Sequence, residues 1–361
     1  MNKKKLLENL FMGLSAYNEY QKSETLLSPS VALAAIFTRR FSSPEDFAAS
    51  KYSLIFYCQK DFLELQRREV ASYSKGHRGY LYTNPSPKGI ILYVHGIMGC
   101  SDDQYAIPQS YFVKKGYDVL AIDLSVSGQS SGVGIDGLHQ GALDVVNAVK
   151  YLQNRPDLRK LPLFLFGHSW GAYSATAALP FVKGVVAVAA LSGFKDPLSE
   201  MMALPKSKTG VDLDFTKAEL EQAMLERSGL SYNLSAIEGI NSSPSTKVYV
   251  LHGESDDIVP TVDASIYGSL HECDKGNVLG REIPKKKHGD IFYSLPAIAA
   301  QRRALQRIGE KEGEYRGYAN IPPAVLNELR RSISKRECSE LDLPLFDGID
   351  LFFQSSLGVS R

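Results

Sequence analysis

The chain predicts an α/β protein in which a mostly parallel central sheet is covered by helices. Three observations point there. Short apolar runs rich in β-branched residues, such as Ile90–Val94, Asp118–Ile122, Val185–Ala189 and Lys247–Leu251, recur along the chain, as expected of strands buried on both faces. Helical stretches separate them, notably Gly137 to Leu152, as parallel crossovers require. The run Leu161–Phe166 leads directly into Gly167-His168-Ser169-Trp170-Gly171 and an alanine-rich segment, the outline of a strand turning sharply into a helix.

Taken in order, residues 1–66 read as a helical extension. The basic start Met1–Lys5 resembles that of a signal peptide, but Glu8 and Asn9 interrupt the apolar run and no small-residue cleavage site follows. Leu6, Leu7, Leu10, Phe11, Leu14 and Tyr17 instead share one helical face. An apolar patch at Val31–Phe37 and a helix start at Ser43-Pro44-Glu45-Asp46 follow. Glu69–Tyr73 and Gly79–Tyr82 flank Ser74-Lys75-Gly76 as a hairpin, and Asn84–Pro87 is a turn into the first buried strand.

The parallel alternation then runs to a last short strand at Val278–Ile283 and is broken once. The interval of about 50 residues between Leu191 and Lys247 is too long for a plain crossover. It contains a capping box, Thr216-Lys217-Ala218-Glu219, and an apolar stripe of Leu220, Ala223 and Met224, so a helical cap is expected at about 195–245. The core then spans 67–311. Residues 312–361 form a C-terminal helical segment, with a helix over Pro322–Ser334 and an apolar end, Leu351-Phe352-Phe353, expected to pack on the core.

Composition narrows the function. Of 361 residues 44% are hydrophobic, enough for a sizeable core. The 41 basic and 40 acidic residues leave a formal charge of +1, which argues against nucleic-acid binding. Cys58, Cys100, Cys273 and Cys338 are scattered, the pattern of reduced thiols in a cytoplasmic protein. No run reaches the roughly 18 apolar residues of a membrane span, so stable membrane insertion is not expected.

The chemistry centres on Ser169. A serine hydroxyl needs a base to take its proton, and the base needs a carboxylate to orient it. In an α/β-hydrolase layout, which the Gly167–Gly171 turn resembles, the acid follows the serine at the end of a later strand. In Leu251-His252-Gly253-Glu254-Ser255-Asp256-Asp257 the spacing from the His-Gly turn favours Asp256, with Asp257 the alternative. The base expected after the last strand is His288, in Lys287-His288-Gly289-Asp290. His95 and His252 belong to strand-end turns, His168 sits inside the elbow, and His77 and His139 come too early for a base. His271 falls within a helical stretch, and Lys285-Lys286-Lys287 reads as solvated surface. The oxyanion hole needs two backbone N–H groups. Trp170 should supply one, and Ile97, with Met98 next, the other, from the loop His95-Gly96-Ile97-Met98-Gly99. Gly96, Met98 and the Trp170 indole would line the substrate pocket.

With these stations in order, residues 67 to 310 resemble the α/β-hydrolase superfamily, and more narrowly its serine aminopeptidase-like and monoacylglycerol-lipase-like branch. Gly167–Ser174, Gly137–Gly141 and the tail Glu340–Phe353 are also similar to a group of bacterial hydrolases. That branch carries an Asp-x-x-Gly-x-Gly-x-Ser turn; here Asp123, Gly128 and Ser130 keep it, while Val126 and Ser127 replace the usual Gly-His pair. The resemblance implies a serine hydrolase that cleaves a small or lipid-like carboxylic ester through an acyl-enzyme, with no cofactor and no metal. Its partner would be a small ester or amide substrate. An aminopeptidase or amidase is the nearer alternative, and a non-catalytic ligand receptor on the same fold the more distant one.

Overall fold

The structure is a computed structural model and describes residues 30, 33, 37, 40–66, 68–209, 216–274 and 276–358. The amphipathic helix expected over Leu6–Tyr17 lies outside these residues, as does most of the patch at Val31–Phe37.

Eight strands form one sheet: β1 (Glu69–Ser74), β2 (His77–Tyr82), β3 (Ile90–Val94), β4 (Asp118–Ile122), β5 (Leu163–His168), β6 (Val185–Leu191), β7 (Lys247–Gly253) and β8 (Val278–Ile283). Their spatial order is β1-β2-β4-β3-β5-β6-β7-β8. The β1–β2 hairpin and the β2–β4 pair are antiparallel; every other neighbouring pair is parallel. This is the α/β-hydrolase arrangement. Several strands outrun their apolar sequence. β5 continues through Gly167 and His168, which pair with Ala190 and Leu191 of β6. The ladder persists because the neighbouring backbone still offers partners after the apolar side chains stop.

The helices are α1 (Pro44–Ala49), α2 (Tyr52–Ile55), α3 (Ala106–Lys114), α4 (Gln140–Asn154), α5 (Trp170–Ala177), α6 (Pro197–Thr209), α7 (Lys217–Ser228), α8 (Ala236–Asn241), α9 (Leu295–Glu314), α10 (Pro323–Ser332), α11 (Lys335–Cys338) and α12 (Leu343–Ser355). α1 begins where Ser43 accepts a hydrogen bond from the Asp46 N–H and Pro44 opens the first turn. Beyond Ile55 the expected helical run gives way to short 3-10 turns at Gln59–Asp61 and Leu63–Leu65.

Strand alternation divides the core into two layers. Ile90, Leu92 and Val94 face α4, α5, α7 and α8. Ile91 and Tyr93 face α3, α9 and α12. Between β6 and β7, α7 starts at the Thr216–Glu219 capping box and buries Leu220, Ala223 and Met224. Arg227 ties it to the loop before α4, with Nε donating to the Asp136 carbonyl and Nη2 to that of Ile135, both at 2.9 Å. α8 backs onto α5 so closely that a side chain at Gly239 would overlap the Thr176 carbonyl. In α12, Phe346, Ile349 and Phe353 are buried, but Leu351 is 68% exposed. Three consecutive helical residues point about 100° apart, so Leu351-Phe352-Phe353 cannot all face the core.

Candidate active site

Ser169 stands where β5 meets α5, at φ +57° and ψ −122°, a conformation costing a non-glycine residue on the order of 1–3 kcal/mol. Its surroundings leave no room for relaxation. A side chain at Gly167 would overlap the Gly171 carbonyl, and one at Gly171 would overlap the Val94 carbonyl. The Ser169 N–H donates to the Leu191 carbonyl at 2.8 Å, and the Ser169 carbonyl accepts from Ala172 and Tyr173 at 3.0 and 3.1 Å. Trp170 opens α5, so its own N–H has no carbonyl one turn back. The Trp170 indole departs from expectation. It is wholly buried, donates to the Leu138 carbonyl at 2.6 Å and meets Phe41 edge-on at 5.7 Å. The Trp170 indole is therefore packed in the core and does not form a pocket wall, because a buried indole N–H is held by its carbonyl partner.

The loop after β3 folds back against the serine. A Cβ at Gly96 would come within 3.1 Å of Ser169 Cβ and 2.6 Å of the Tyr105 hydroxyl, so only glycine fits there. The Gly99 N–H closes a turn onto the Gly96 carbonyl at 3.2 Å, with Met98 at φ +62°. Ile97 and Met98 are half-buried at its tip. His95 pins the loop base: Nδ1 donates to the Gly96 carbonyl at 2.7 Å and Nε2 accepts from the Leu124 N–H at 3.1 Å. Asp123 holds the far end, accepting from the Ser101 N–H at 2.8 Å, the Ser101 hydroxyl at 2.6 Å and the Gln129 N–H at 2.9 Å.

Beyond β7, Asp256 Oδ1 accepts from the Ile258 and Val259 N–H groups at 3.0 and 2.9 Å. Its carboxylate lies 2.9–3.0 Å from His288 Nδ1. Burial pushes the Asp256 carboxyl up. The facing His288 imidazole, by charge and hydrogen bond, outweighs this with help from His252 and the Val259 N–H, and holds it well below the ordinary range. Asp257 instead reaches Lys287 Nζ at 3.2 Å. The structure thus joins His288 to Asp256 and not to its neighbour. In a neutral ring with Nδ1–H donating to the carboxylate, Nε2 of His288 is the acceptor. Ser169 is 5% exposed, and its hydroxyl makes no hydrogen bond among the described residues.

The sequence reading misplaced one residue, Lys286, and left another, the candidate cap acid Glu200, without a position. Lys286, expected as solvated surface, is 2% exposed; its ammonium donates to the Tyr293 carbonyl and pairs with Asp342 at 3.0 Å. Its own carbonyl accepts from the Ser255 N–H at 2.9 Å, so one lysine joins the acid loop, the base loop and the start of α12. A buried ammonium needs such partners, and nothing in a run of three lysines marks which one has them. Glu200, in the first turn of α6, is buried and its Oε2 has no hydrogen-bond partner among the described residues. Burial first, then the charges of Asp256 and Asp196, push its carboxyl well above the ordinary value.

A cleft of about 580 Å³ bounded by Phe47, Leu54, Cys58, Lys60, Arg330 and Lys335 lies apart from these residues. Among the described residues no helix is long and apolar enough to cross a membrane. Nor, among them, does any group of three or more His, Cys, Asp or Glu side chains offer a metal site.

Residues 85–222 match the family model described as serine aminopeptidase, S33. No curated protein matches the chain significantly in sequence. Solved structures similar to it include Pyrococcus furiosus esterase Pf2001, at 18% identity and TM-score 0.48, covering 73% of this chain and 94% of that one. Another is Est1E from Butyrivibrio proteoclasticus with ferulic acid bound, at 18% identity and TM-score 0.46, covering 61% and 90%. A puromycin-hydrolyzing peptidase from Mycobacterium tuberculosis is 20% identical at TM-score 0.45, covering 62% of this chain and 36% of that one. The strand order and the elbow are those of the α/β-hydrolase fold, in keeping with the family match over residues 85–222.

Proposed function

We propose that the protein is a serine hydrolase cleaving a small or lipid-like carboxylic ester through an acyl-enzyme. In this reading Ser169 attacks the carbonyl carbon while His288 Nε2 takes its proton. Asp256 holds the imidazole in the required tautomer and offsets the charge it gains, and the N–H groups of Trp170 and Ile97, with Met98 adjacent, stabilise the oxyanion. His288 then returns the proton to the departing alcohol and activates water to release the acid. The observation that carries the reading is the strained Ser169 apex, with a histidine–aspartate pair at 2.9 Å in the loops that follow. An ester is preferred to an amide because alkoxide leaves more readily than amine, so a simple triad suffices.

A second reading, an aminopeptidase or amidase on small substrates, has Glu200 in its favour. A buried carboxyl whose ionisation is pushed up, and whose Oε2 has no hydrogen-bond partner among the described residues, would be drawn to ionise by a substrate ammonium group, and the two charges would compensate each other. A non-catalytic receptor has no comparable observation behind it.

The test is covalent labelling with a fluorophosphonate, followed by turnover of p-nitrophenyl esters against aminoacyl amides. Ser169 should carry the label, and Ser169→Ala should lose on the order of 10⁶ in kcat while folding normally. A label on another serine overturns the assignment, and preference for the amides moves the reading to the second one.

A further inference from the structure

Tyr105 and His168 take no part in the scheme above, yet they form a buried chain of hydrogen bonds linking the loops on either side of Ser169. The Gly96 N–H donates to the Tyr105 hydroxyl oxygen at 3.0 Å. That hydroxyl lies 2.8 Å from His168 Nδ1, and His168 Nε2 lies 3.1 Å from the His288 carbonyl oxygen. The proton positions follow from the partners. A carbonyl oxygen can only accept, so Nε2 must carry the ring proton. Burial, with the His288 charge behind it, brings the His168 imidazole down to about 3, so at neutral pH the ring holds a single proton. Nδ1 is therefore an acceptor and the Tyr105 O–H must donate to it, leaving the phenol oxygen to accept from Gly96. The chain closes with every donor matched to an acceptor.

Packing leaves these groups little freedom. The His168 ring lies 4.8 Å from that of His288 and 4.7 Å from that of Phe292, and the Tyr105 ring is flanked by Tyr93 and Phe292. Gly96 begins the turn carrying the expected oxyanion donors, and His288 is the expected base. One hydrogen-bonded chain thus spans the two components whose separation decides whether a carbonyl at Ser169 meets both.

We propose that Tyr105 and His168 are positioning residues that hold the oxyanion loop and the base loop at a fixed spacing across Ser169, with the His168 ring locked as the Nε2–H tautomer. The inference rests on the acyl-enzyme reading. Its physical warrant is the steep dependence of rate on geometry, where a misplacement of about 1 Å can cost on the order of 100-fold.

Tyr105→Phe keeps the ring and removes the hydroxyl; His168→Gln keeps an N–H donor near the Nε2 position and removes the ring acceptor. On an ester substrate each should lower kcat about 10- to 100-fold and leave KM within about twofold. As links in one chain their losses should not multiply, so the double variant should be no slower than the worse single one. In the unaltered protein, ¹⁵N chemical shifts should show His168 neutral and protonated at Nε2 down to about pH 5. An unchanged kcat in Tyr105→Phe, multiplying losses in the double variant, or an Nδ1–H tautomer would each overturn the proposal. If a variant fails to fold, the tautomer measurement decides. A parent enzyme whose Ser169 takes no fluorophosphonate overturns the acyl-enzyme reading as well. A labelled parent with unaffected variants overturns only this inference.

Discussion

The two faces of the sheet are packed by different means. On the face carrying Ser169, backbone touches backbone: α5 meets β3 and β5 at Gly167 and Gly171, and α8 meets α5 at Gly239, each without room for a methyl group. On the opposite face the gap to α3 and α12 is filled by rings. Tyr93 stacks on Phe166 and Phe164 on Phe353, both at 4.8 Å, while Phe112 meets Phe166 at 5.2 Å. Contacts between main chains have no rotamers through which to relax, so they position the serine closely. Large rings bury far more apolar area and tolerate small shifts, so they contribute more to stability. Precision and stability are therefore supplied by opposite layers of one sheet.

Substitutions can separate these layers. Phe353→Ala should produce the largest loss of stability, about 3–5 kcal/mol by urea unfolding. The fraction that remains folded should still take a fluorophosphonate at the parent rate, since that ring touches nothing near Ser169. Gly171→Ala should cost less, about 1–3 kcal/mol for an overpacked contact, but slow labelling on the order of 100-fold by displacing the apex. Normal labelling of Gly171→Ala, or its loss in folded Phe353→Ala, would end the distinction.

The smallest expected effect concerns Glu200, whose Oε2 has no hydrogen-bond partner among the described residues. Unfolded, its carboxyl ionises near 4.5, whereas folded it does so only at higher pH. Between the two values the folded state holds a proton that the unfolded state has lost, so stability falls as pH rises. Glu200→Gln removes this dependence. Its Tm should exceed the parent's at about pH 8, and the gap should close towards about pH 4. A gap independent of pH would mean that the carboxyl is not neutral in the folded protein.

Much of the serine-bearing side was legible in the sequence because its requirements are local. Glycines two before and two after a serine, behind an apolar run, mark a close turn wherever they occur. The order serine, acid, histidine is what the resemblance to the α/β-hydrolase layout implies. Asp256 and Asp257 are adjacent, and spacing favoured Asp256 while keeping Asp257 as the alternative. The difference between them arises because Asp256 turns inward to accept from Ile258 and Val259 while Asp257 meets Lys287. The Trp170 indole was expected in the pocket, but its N–H found the Leu138 carbonyl.

By itself the sequence determined the strands, the helical crossovers and the strained turn, since side-chain periodicity and backbone sterics act over a few residues. Only the tertiary structure decided that Lys286 is buried against Asp342 and Tyr293, that Glu200 Oε2 has no hydrogen-bond partner among the described residues, and that Tyr105 and His168 connect Gly96 to His288. These groups come from segments far apart in the chain. Whether each is charged, neutral or bonded depends on where the sheet register delivers the strand ends, and no local pattern encodes that.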